Sequence, residues 1–144
     1  MSEKGEYFTL RDEARAEDDA EPRFLTVLDE VLGLPVVPGL VLRPVFGLNM
    51  TMSFVYMEPH SVAPVHQHAE EQVGTIIEGE YEFDLNGDKR VVRKGDVYVV
   101  PPWVPHGAVT HDTSVIALDV FSPPRAGFAE LMEEALREAG RTSS

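Results

Sequence analysis

The sequence predicts an all-β domain, a sandwich or a barrel, followed by one C-terminal helix. From residue 36 onward, short apolar runs alternate with Gly, Pro and Asn, which is typical of many short strands joined by turns. Asn86-Gly87 is a hairpin signal because both residues tolerate positive φ. Beyond residue 125, apolar residues recur at helical spacing up to Gly140, a stop signal, so this segment is predicted to be a packing helix.

Eight apolar runs are the predicted strands. They cover residues 40–45, 50–57, 73–77, 81–85, 91–92, 97–100, 108–109 and 115–121. In the run before the hairpin, Tyr81, Phe83 and Leu85 share one face and acidic residues take the other, so one face is solvated. The last run is apolar on both faces apart from Asp119, which indicates that a second layer covers it: the N-terminal segment, the C-terminal helix or another subunit.

The chain divides into three predicted parts: an N-terminal acidic segment and packing element (1–35), the barrel (36–125), and a helix with a tail (126–144). Residues 3–21 are rich in acidic side chains, which predicts a solvated or mobile segment. Residues 24–32 have apolar spacings of three and four, which suit a short helix or a strand that packs onto the body, ended by Gly33 and Pro35.

Length and composition limit the classes of function. A chain of 144 residues suits one domain with one site. The absence of cysteine excludes disulfides and thiolate metal sites, and the net charge of −13 argues against a nucleic-acid partner. No long apolar run is present, so we expect no membrane partner and a cytoplasmic protein. An anionic small-molecule substrate stays compatible, since a bound dication and one arginine make a site locally positive.

Histidines and one glutamine form a candidate metal site. His66 and His68 are two apart, so on a strand both imidazoles share one face. Gln72 follows, and His106 comes after Gly95 and Pro101. We expect one divalent transition metal per chain, Ni, Zn, Fe or Mn. With the neutral Gln72 as a ligand, the metal would be a stronger Lewis acid than with a carboxylate ligand. The alternative is that Gln72 does not bind metal.

These two segments resemble the two motifs of the cupin superfamily, G-x5-H-x-H-x3,4-E-x6-G and G-x5-P-x-G-x2-H-x3-N. The positions that match are His66, His68, Gly79, Gly95, Pro101 and His106, and the departures are His60, Gln72, Trp103 and Thr110. The resemblance implies a single cupin β-barrel, a double-stranded β-helix or jelly roll. It also implies a homodimer, because small cupins often pair through sheet faces. His60 and His111 lack motif spacing and are left out of the ligand set.

A second functional group is predicted at the last strand. Period two puts Asp119 on the same face as Val115, Ala117 and Phe121, where a lone carboxylate is costly unless paired. Arg125 is its predicted partner, which would hold Asp119 ionised. The alternative is a purely structural ion pair.

With the histidines and Gln72, the pattern Asp119-x-Phe121-x3-Arg125 resembles the pectin-degradation cupins, which linearise unsaturated uronates. That resemblance implies metal binding by His66, His68, Gln72 and His106, and catalysis by Asp119 and Arg125. Arg125 would also bind the substrate carboxylate, with Phe121 and Trp103 walling the pocket. For Trp103 the alternative is a packing role at the rim.

Three functions follow as hypotheses. The first is a metal-dependent isomerase that opens the ring of an unsaturated uronate or a similar carboxylated sugar. The second is an Fe- or Mn-dependent dioxygenase, against which the neutral Gln72 supplies no anionic charge to stabilise a higher oxidation state. The third is a non-enzymatic module in which metal anchors a small ligand for binding or sensing.

Overall fold

The computed structural model describes residues 21–142, which form a nearly closed antiparallel barrel flanked by two helices. The elements are α1 (Val27–Glu30), β1 (Leu34–Val37), β2 (Leu40–Phe46), β3 (Thr51–Met57), β4 (Val62–His66), β5 (Glu71–Leu85), β6 (Asp88–Arg93), β7 (Val97–Val100), β8 (His106–Val109), β9 (Val115–Ser122) and α2 (Ala126–Thr142). The predicted all-β class with a C-terminal helix is confirmed. Within residues 21–142, no helix has the length and apolar character needed to cross a membrane.

Strand β5 connects the two halves of the barrel. The strand order is β1-β2-β3-β9-β5-β8-β4, and β6 and β7 also pair with β5. Its first half pairs with β7 and β9, and its second half pairs with β6 and β8. The separate strands predicted at 73–77 and 81–85 are therefore one strand, so that prediction is wrong. Gly79 bends this strand at a φ of 79° instead of ending it.

The hairpin prediction is confirmed. Asn86 and Gly87 adopt φ values of 53° and 90° between Leu85 and Asp88, which face each other across β5 and β6. The alternation before the turn also holds, since Tyr81 and Phe83 are buried in the barrel core. A core of eleven buried side chains fills the interior: Leu40, Val55, Met57, Ile76, Tyr81, Phe83, Tyr98, Val100, Ala108, Val115 and Ala117.

The N-terminal element differs from the prediction. Residues 24–32 contain the four-residue helix α1, and no residue of that helix is buried. Phe24 and Leu28 are exposed and only Val31 is buried, so the expected packing through this apolar run is wrong. Pro35 does not end an element: it lies in β1, which pairs only with β2 and therefore tolerates a residue without an N–H group. The predicted acidic segment lies outside the described residues apart from Glu21.

Alternate residues of β9 face the barrel interior, as the period of two predicted. Asp119 and Phe121 are buried on that face together with Val115 and Ala117. The opposite residues of β9, Ile116, Leu118 and Val120, are half-buried. The Phe128 ring of α2 then packs edge-on against Phe121, with the centroids 5.6 Å apart, so the start of the helix covers the end of β9.

Gly74 leaves a gap that two neighbouring side chains fill. In β5 it faces Asp119 of β9 on one side and Tyr98 of β7 on the other. The Tyr98 hydroxyl crosses above Gly74 and donates a hydrogen bond of 2.7 Å to Asp119 Oδ1. A Cβ atom on Gly74 would lie 2.2 Å from both Asp119 Oδ1 and Tyr98 Cε2, so a side chain here is incompatible with that bond.

Replacing Gly74 by alanine is expected to lower the free energy of unfolding by about 1–3 kcal/mol, the usual cost of overpacking a filled interior. Urea denaturation followed by circular dichroism measures the change. Gly127→Ala is the matched control, because its Cβ would approach nothing closer than 3.9 Å and alanine favours the helix. Equal stability of the Gly74→Ala and wild-type proteins would contradict the packing described for Tyr98 and Asp119.

Candidate metal centre and its cavity

Three histidines converge at one end of the barrel. His66, the last residue of β4, faces His106, the first residue of β8, across the sheet. His68 lies beyond the end of β4, so the shared strand face used to predict convergence does not extend to it. It joins the others from the segment between β4 and β5. The closest ring nitrogens of His66, His68 and His106 all lie within 4.8 Å of one another, and such a cluster could hold a metal ion.

Each of these imidazoles is oriented by a backbone carbonyl. His66 Nδ1 donates to Pro64 O at 2.8 Å, His68 Nδ1 to Glu70 O at 2.9 Å, and His106 Nδ1 to Val104 O at 2.9 Å. A carbonyl only accepts hydrogen bonds, so Nδ1 carries the proton and Nε2 keeps its lone pair in each neutral ring. In His106 that Nε2 atom is buried and has no hydrogen-bond partner within the part of the chain that the structure describes. This is the state in which imidazole binds a metal.

Burial also keeps two of the rings neutral. Desolvation lowers the pKa of His106 to about 4, with the neighbouring histidines acting in the same direction. The pKa of His68 is likewise lowered, first by desolvation and then by the positive charge of Arg125. Both groups are therefore unprotonated at neutral pH, and neither must lose a proton before it can bind a metal.

Gln72 completes the ring of candidate ligands. It is buried at the start of β5, and its Oε1 atom lies 3.1 Å from His68 Nε2. When His68 donates through Nδ1, both of these facing atoms are acceptors, and a cation near both removes their repulsion. The Gln72 side chain also makes a hydrogen bond to Asp119. This bond favours the amide orientation in which the nitrogen faces the Asp119 carboxyl and the oxygen faces the histidines. The donor set present therefore fits a divalent metal.

Asp119 and Arg125 are not an ion pair, so the predicted pairing is wrong. Asp119 accepts its hydrogen bonds from Tyr98 and Gln72, whereas Arg125 Nη1 lies 3.3 Å from Glu70 Oε1. The expectation of a firmly ionised carboxylate is also wrong. Burial raises the pKa of Asp119 to about 6, and the two hydrogen bonds only partly offset that rise.

Four functional candidates were missed from the sequence. Glu70 is an acidic residue between two predicted ligands, and in the sequence it is indistinguishable from one member of a solvated Glu-Glu pair. Tyr81 and Tyr98 read as core aromatics, but their hydroxyls lie 2.6 Å apart and continue the hydrogen bond to Asp119. Ser53 faces Asp119 across β3 and β9, and its buried hydroxyl has no hydrogen-bond partner among residues 21–142. Only the pairing of distant strands reveals these contacts.

The histidines open into a cavity of about 340 Å³, within the size range of small-molecule sites. Among the described residues that line it, Asp119 is the single carboxyl and Arg125 the single guanidinium, and most of the remaining wall is apolar. His66, Gln72, His106 and Ser53 also contribute to the lining. A larger, more open depression of about 650 Å³ lies along β1 and β2; it shares Val36, Val37, Leu40 and Met57 with the cavity, but none of its lining among the described residues is a histidine.

The two predicted aromatic wall residues differ in position. Phe121 lines the cavity and packs edge-on against His68, with the centroids 5.5 Å apart. Trp103 is 60% exposed and lies outside the cavity lining, although its backbone N–H donates to His68 O at 2.8 Å. The histidines left out of the ligand set lie elsewhere: His60 is near Asp112 and His111 near Glu82, both at the surface.

Comparison with known proteins adds family and fold relationships. Residues 53–121 match the model of the cupin domain. The pectin degradation protein KdgF of Dickeya dadantii is 28% identical over 81 residues, which cover 56% of this chain and 74% of that protein. A gentisate 1,2-dioxygenase from a Streptomyces species is 32% identical over 76 residues, but these cover 52% of this chain and only 20% of the dioxygenase.

Among solved structures, that of KdgF from a Halomonas species superimposes with a TM-score of 0.69 and 28% sequence identity, covering 75% of this chain and 99% of that one. The cupin domain match over residues 53–121, the barrel topology and these relatives show that residues 53–121 form a cupin domain, and the chain resembles the pectin-degradation proteins.

Proposed function

We propose that this protein is a metal-dependent isomerase that opens the ring of an unsaturated uronate or a similar carboxylated sugar. The observation that carries the proposal is the composition of the cavity: its described lining has one carboxyl, one guanidinium and two histidines of the cluster in a largely apolar wall. The similarity to pectin degradation proteins supports the substrate class.

In the proposed site, Arg125 binds the substrate carboxylate, because its planar guanidinium suits a paired hydrogen bond to two carboxylate oxygens. Phe121 provides an apolar surface for the sugar ring beside His68. The orphaned Ser53 hydroxyl, opposite Asp119, is available to a substrate oxygen or to water. These groups orient the substrate so that its reacting atoms lie near Asp119.

Ring opening of an unsaturated uronate rearranges bonds without any oxidant or reductant. A proton leaves the hydroxyl of the anomeric carbon as that carbon's bond to the ring oxygen breaks, which gives an aldehyde and an enolate. A proton is then delivered to the enolate carbon, and the enolate oxygen becomes the oxygen of a ketone. We assign both transfers to Asp119, the carboxyl of the cavity, acting first as base and then as acid. Tyr98 and Gln72 hold this carboxyl in place.

The proposed metal ligands are His66, His68, His106 and Gln72, with one divalent ion per chain. When bound, such an ion supplies Lewis-acid polarisation of substrate oxygens. Support comes from the three ring nitrogens that face one another and from the acceptor oxygen of Gln72 beside His68. Nickel or zinc would suit this chemistry.

A dioxygenase is the second candidate, because a gentisate 1,2-dioxygenase is among the relatives. It would require a redox-active iron or manganese ion. The neutral Gln72 does not supply the anionic charge that stabilises a higher oxidation state, so we favour the isomerase. A binding or sensing module is the third candidate, and it would leave Asp119 without a chemical role.

We also propose a homodimer formed through the outer face of the sheet. Val97 and Val99 of β7 and Val73 and Ile77 of β5 are exposed on adjacent strands. Contiguous apolar surfaces of this kind mark interaction sites, and a second copy would supply the layer expected over β9.

Asp119→Asn is expected to lower kcat for ring opening by about 100-fold or more, because asparagine neither takes nor gives a proton. Metal content should be unchanged, since the three histidines remain. Turnover of an unsaturated galacturonate is followed by loss of its ultraviolet absorbance, with Asp112→Asn at the surface as the control. Parallel loss of metal and activity, or a kcat equal to that of the wild-type protein, would refute the assigned role.

Untagged protein purified without chelators is expected to contain close to one metal ion per chain. His106→Ala should bring this content well below one, because it removes a buried ligand, while His111→Ala at the surface should not. Elemental analysis measures both. Nickel or zinc would support the isomerase, and iron or manganese the dioxygenase; stoichiometric metal in His106→Ala would contradict the proposed ligand set.

Val99→Glu is expected to convert a dimer to a monomer, because it buries a charge in the proposed interface. Light scattering after size-exclusion chromatography measures the mass. Val91→Glu is the control, since Val91 is similarly exposed but lies on β6 in the other half of the barrel. A mass unaffected by Val99→Glu would exclude this face as the interface.

A further inference from the structure

We propose that Glu70 is a positioning residue that joins the candidate metal centre to the substrate-binding arginine. Its carboxylate is buried, at 7% exposure for the residue, between β4 and β5. It contacts three groups: His68 Nδ1 at 3.6 Å, two residues before it in the chain, and, at the start of α2, Arg125 Nη1 at 3.3 Å and the backbone N–H of Ala126 at 3.4 Å. The inferred effect of Glu70 on Arg125 and substrate binding rests on the proposed function. The inferred effect of Glu70 on His68 does not.

A buried carboxylate is stable only when nearby positive or polar groups replace the lost solvation. Glu70 Oε1 lies between Arg125 and His68, and Oε2 receives the N–H group at the start of α2. One carboxylate oxygen therefore fixes the distance between the guanidinium and the imidazole. Neither group can move away from Glu70 without leaving the carboxylate less well compensated.

Towards His68, Glu70 acts with both its backbone and its side chain. The backbone carbonyl accepts the Nδ1 hydrogen bond at 2.9 Å, and the carboxylate lies beside the same edge of the ring. A negative charge next to the Nδ1–H group favours that tautomer and makes Nε2 a better electron-pair donor. Glu70 should therefore strengthen metal binding without touching the metal.

Towards Arg125, Glu70 works together with Thr51. The Arg125 backbone N–H donates to Thr51 Oγ1 at 3.1 Å, and the next backbone N–H, of Ala126, donates to Glu70. The guanidinium then bonds the same carboxylate. Arg125 is thus held at backbone and side chain where the chain passes from β9 to α2, so it meets a substrate carboxylate without first being ordered.

The test is Glu70→Gln, which keeps the shape and removes the charge. The matched control is Glu71→Gln, the neighbouring but exposed residue. Zinc affinity, measured by competition with a chromophoric chelator, is expected to fall by about 10-fold or more in Glu70→Gln, the range found for groups that support metal ligands. KM for an unsaturated galacturonate should rise about 10-fold with a smaller change in kcat. Glu71→Gln should alter neither by more than about twofold, since exposed charges interact weakly.

Combining Glu70→Gln with Arg125→Gln separates the two roles. If Glu70 acts on substrate binding through Arg125, the KM effect of Glu70→Gln disappears in the Arg125→Gln background, while the loss of zinc affinity persists. Should Glu70→Gln not fold, Glu70→Asp withdraws the carboxylate by one methylene and is expected to shift both quantities in the same directions. Zinc affinity and KM equal to those of Glu71→Gln would overturn the inference.

Failure of the proposed function is distinguishable from failure of this inference. If the wild-type protein does not turn over the galacturonate, the isomerase proposal fails, and zinc affinity still decides the role of Glu70. Reduced affinity in Glu70→Gln would then leave Glu70 as a support of the metal centre alone. Unchanged affinity would overturn that role too.

Discussion

The buried carboxyl of Asp119 is compensated by hydrogen bonds, and much of the barrel interior is arranged around that requirement. Arg125, the guanidinium nearest in sequence, is paired with Glu70. Tyr98 reaches Asp119 only because Gly74 has no side chain, and Gln72 directs its amide between Asp119 and His68. The hydrogen bonds that compensate this one buried acid thus link β5, β7 and β9 to the histidine cluster.

Two carboxyl groups therefore flank the candidate metal centre in different electrostatic settings. Asp119 lies among neutral donors inside the cavity, and its raised pKa reflects desolvation. Glu70 lies outside the cavity lining against a guanidinium and a helix N–H group. We propose that the first exchanges protons with the substrate and the second fixes the groups that hold it. The same residue type serves two purposes because the neighbours differ.

Much of the barrel was predictable from local patterns. The alternation ending at Leu85, the Asn86-Gly87 turn and the inward side of β9 all depend on residues close in sequence. The continuous β5 was not predictable, because whether Gly79 ends or bends a strand depends on its pairing partners. Convergence of His106 with His66 and His68 was anticipated from motif spacing. The partners of Asp119 and Arg125 could not be predicted in this way. Strand pairing brings Tyr98 to Asp119, and a chain reversal brings Glu70 to Arg125. Charge alone favoured an ion pair between Asp119 and Arg125.

The missing side chain at Gly74 offers a way to sort related sequences. Asp119 and Tyr98 flank it on opposite neighbouring strands, so the three residues form a unit in which each constrains the others. A relative with a larger residue at this position cannot keep the same tyrosine-to-aspartate contact, whatever its histidines are. Co-occurrence of glycine, tyrosine and aspartate at these positions would thus distinguish barrels with a similarly held acid from barrels that share only the metal ligands.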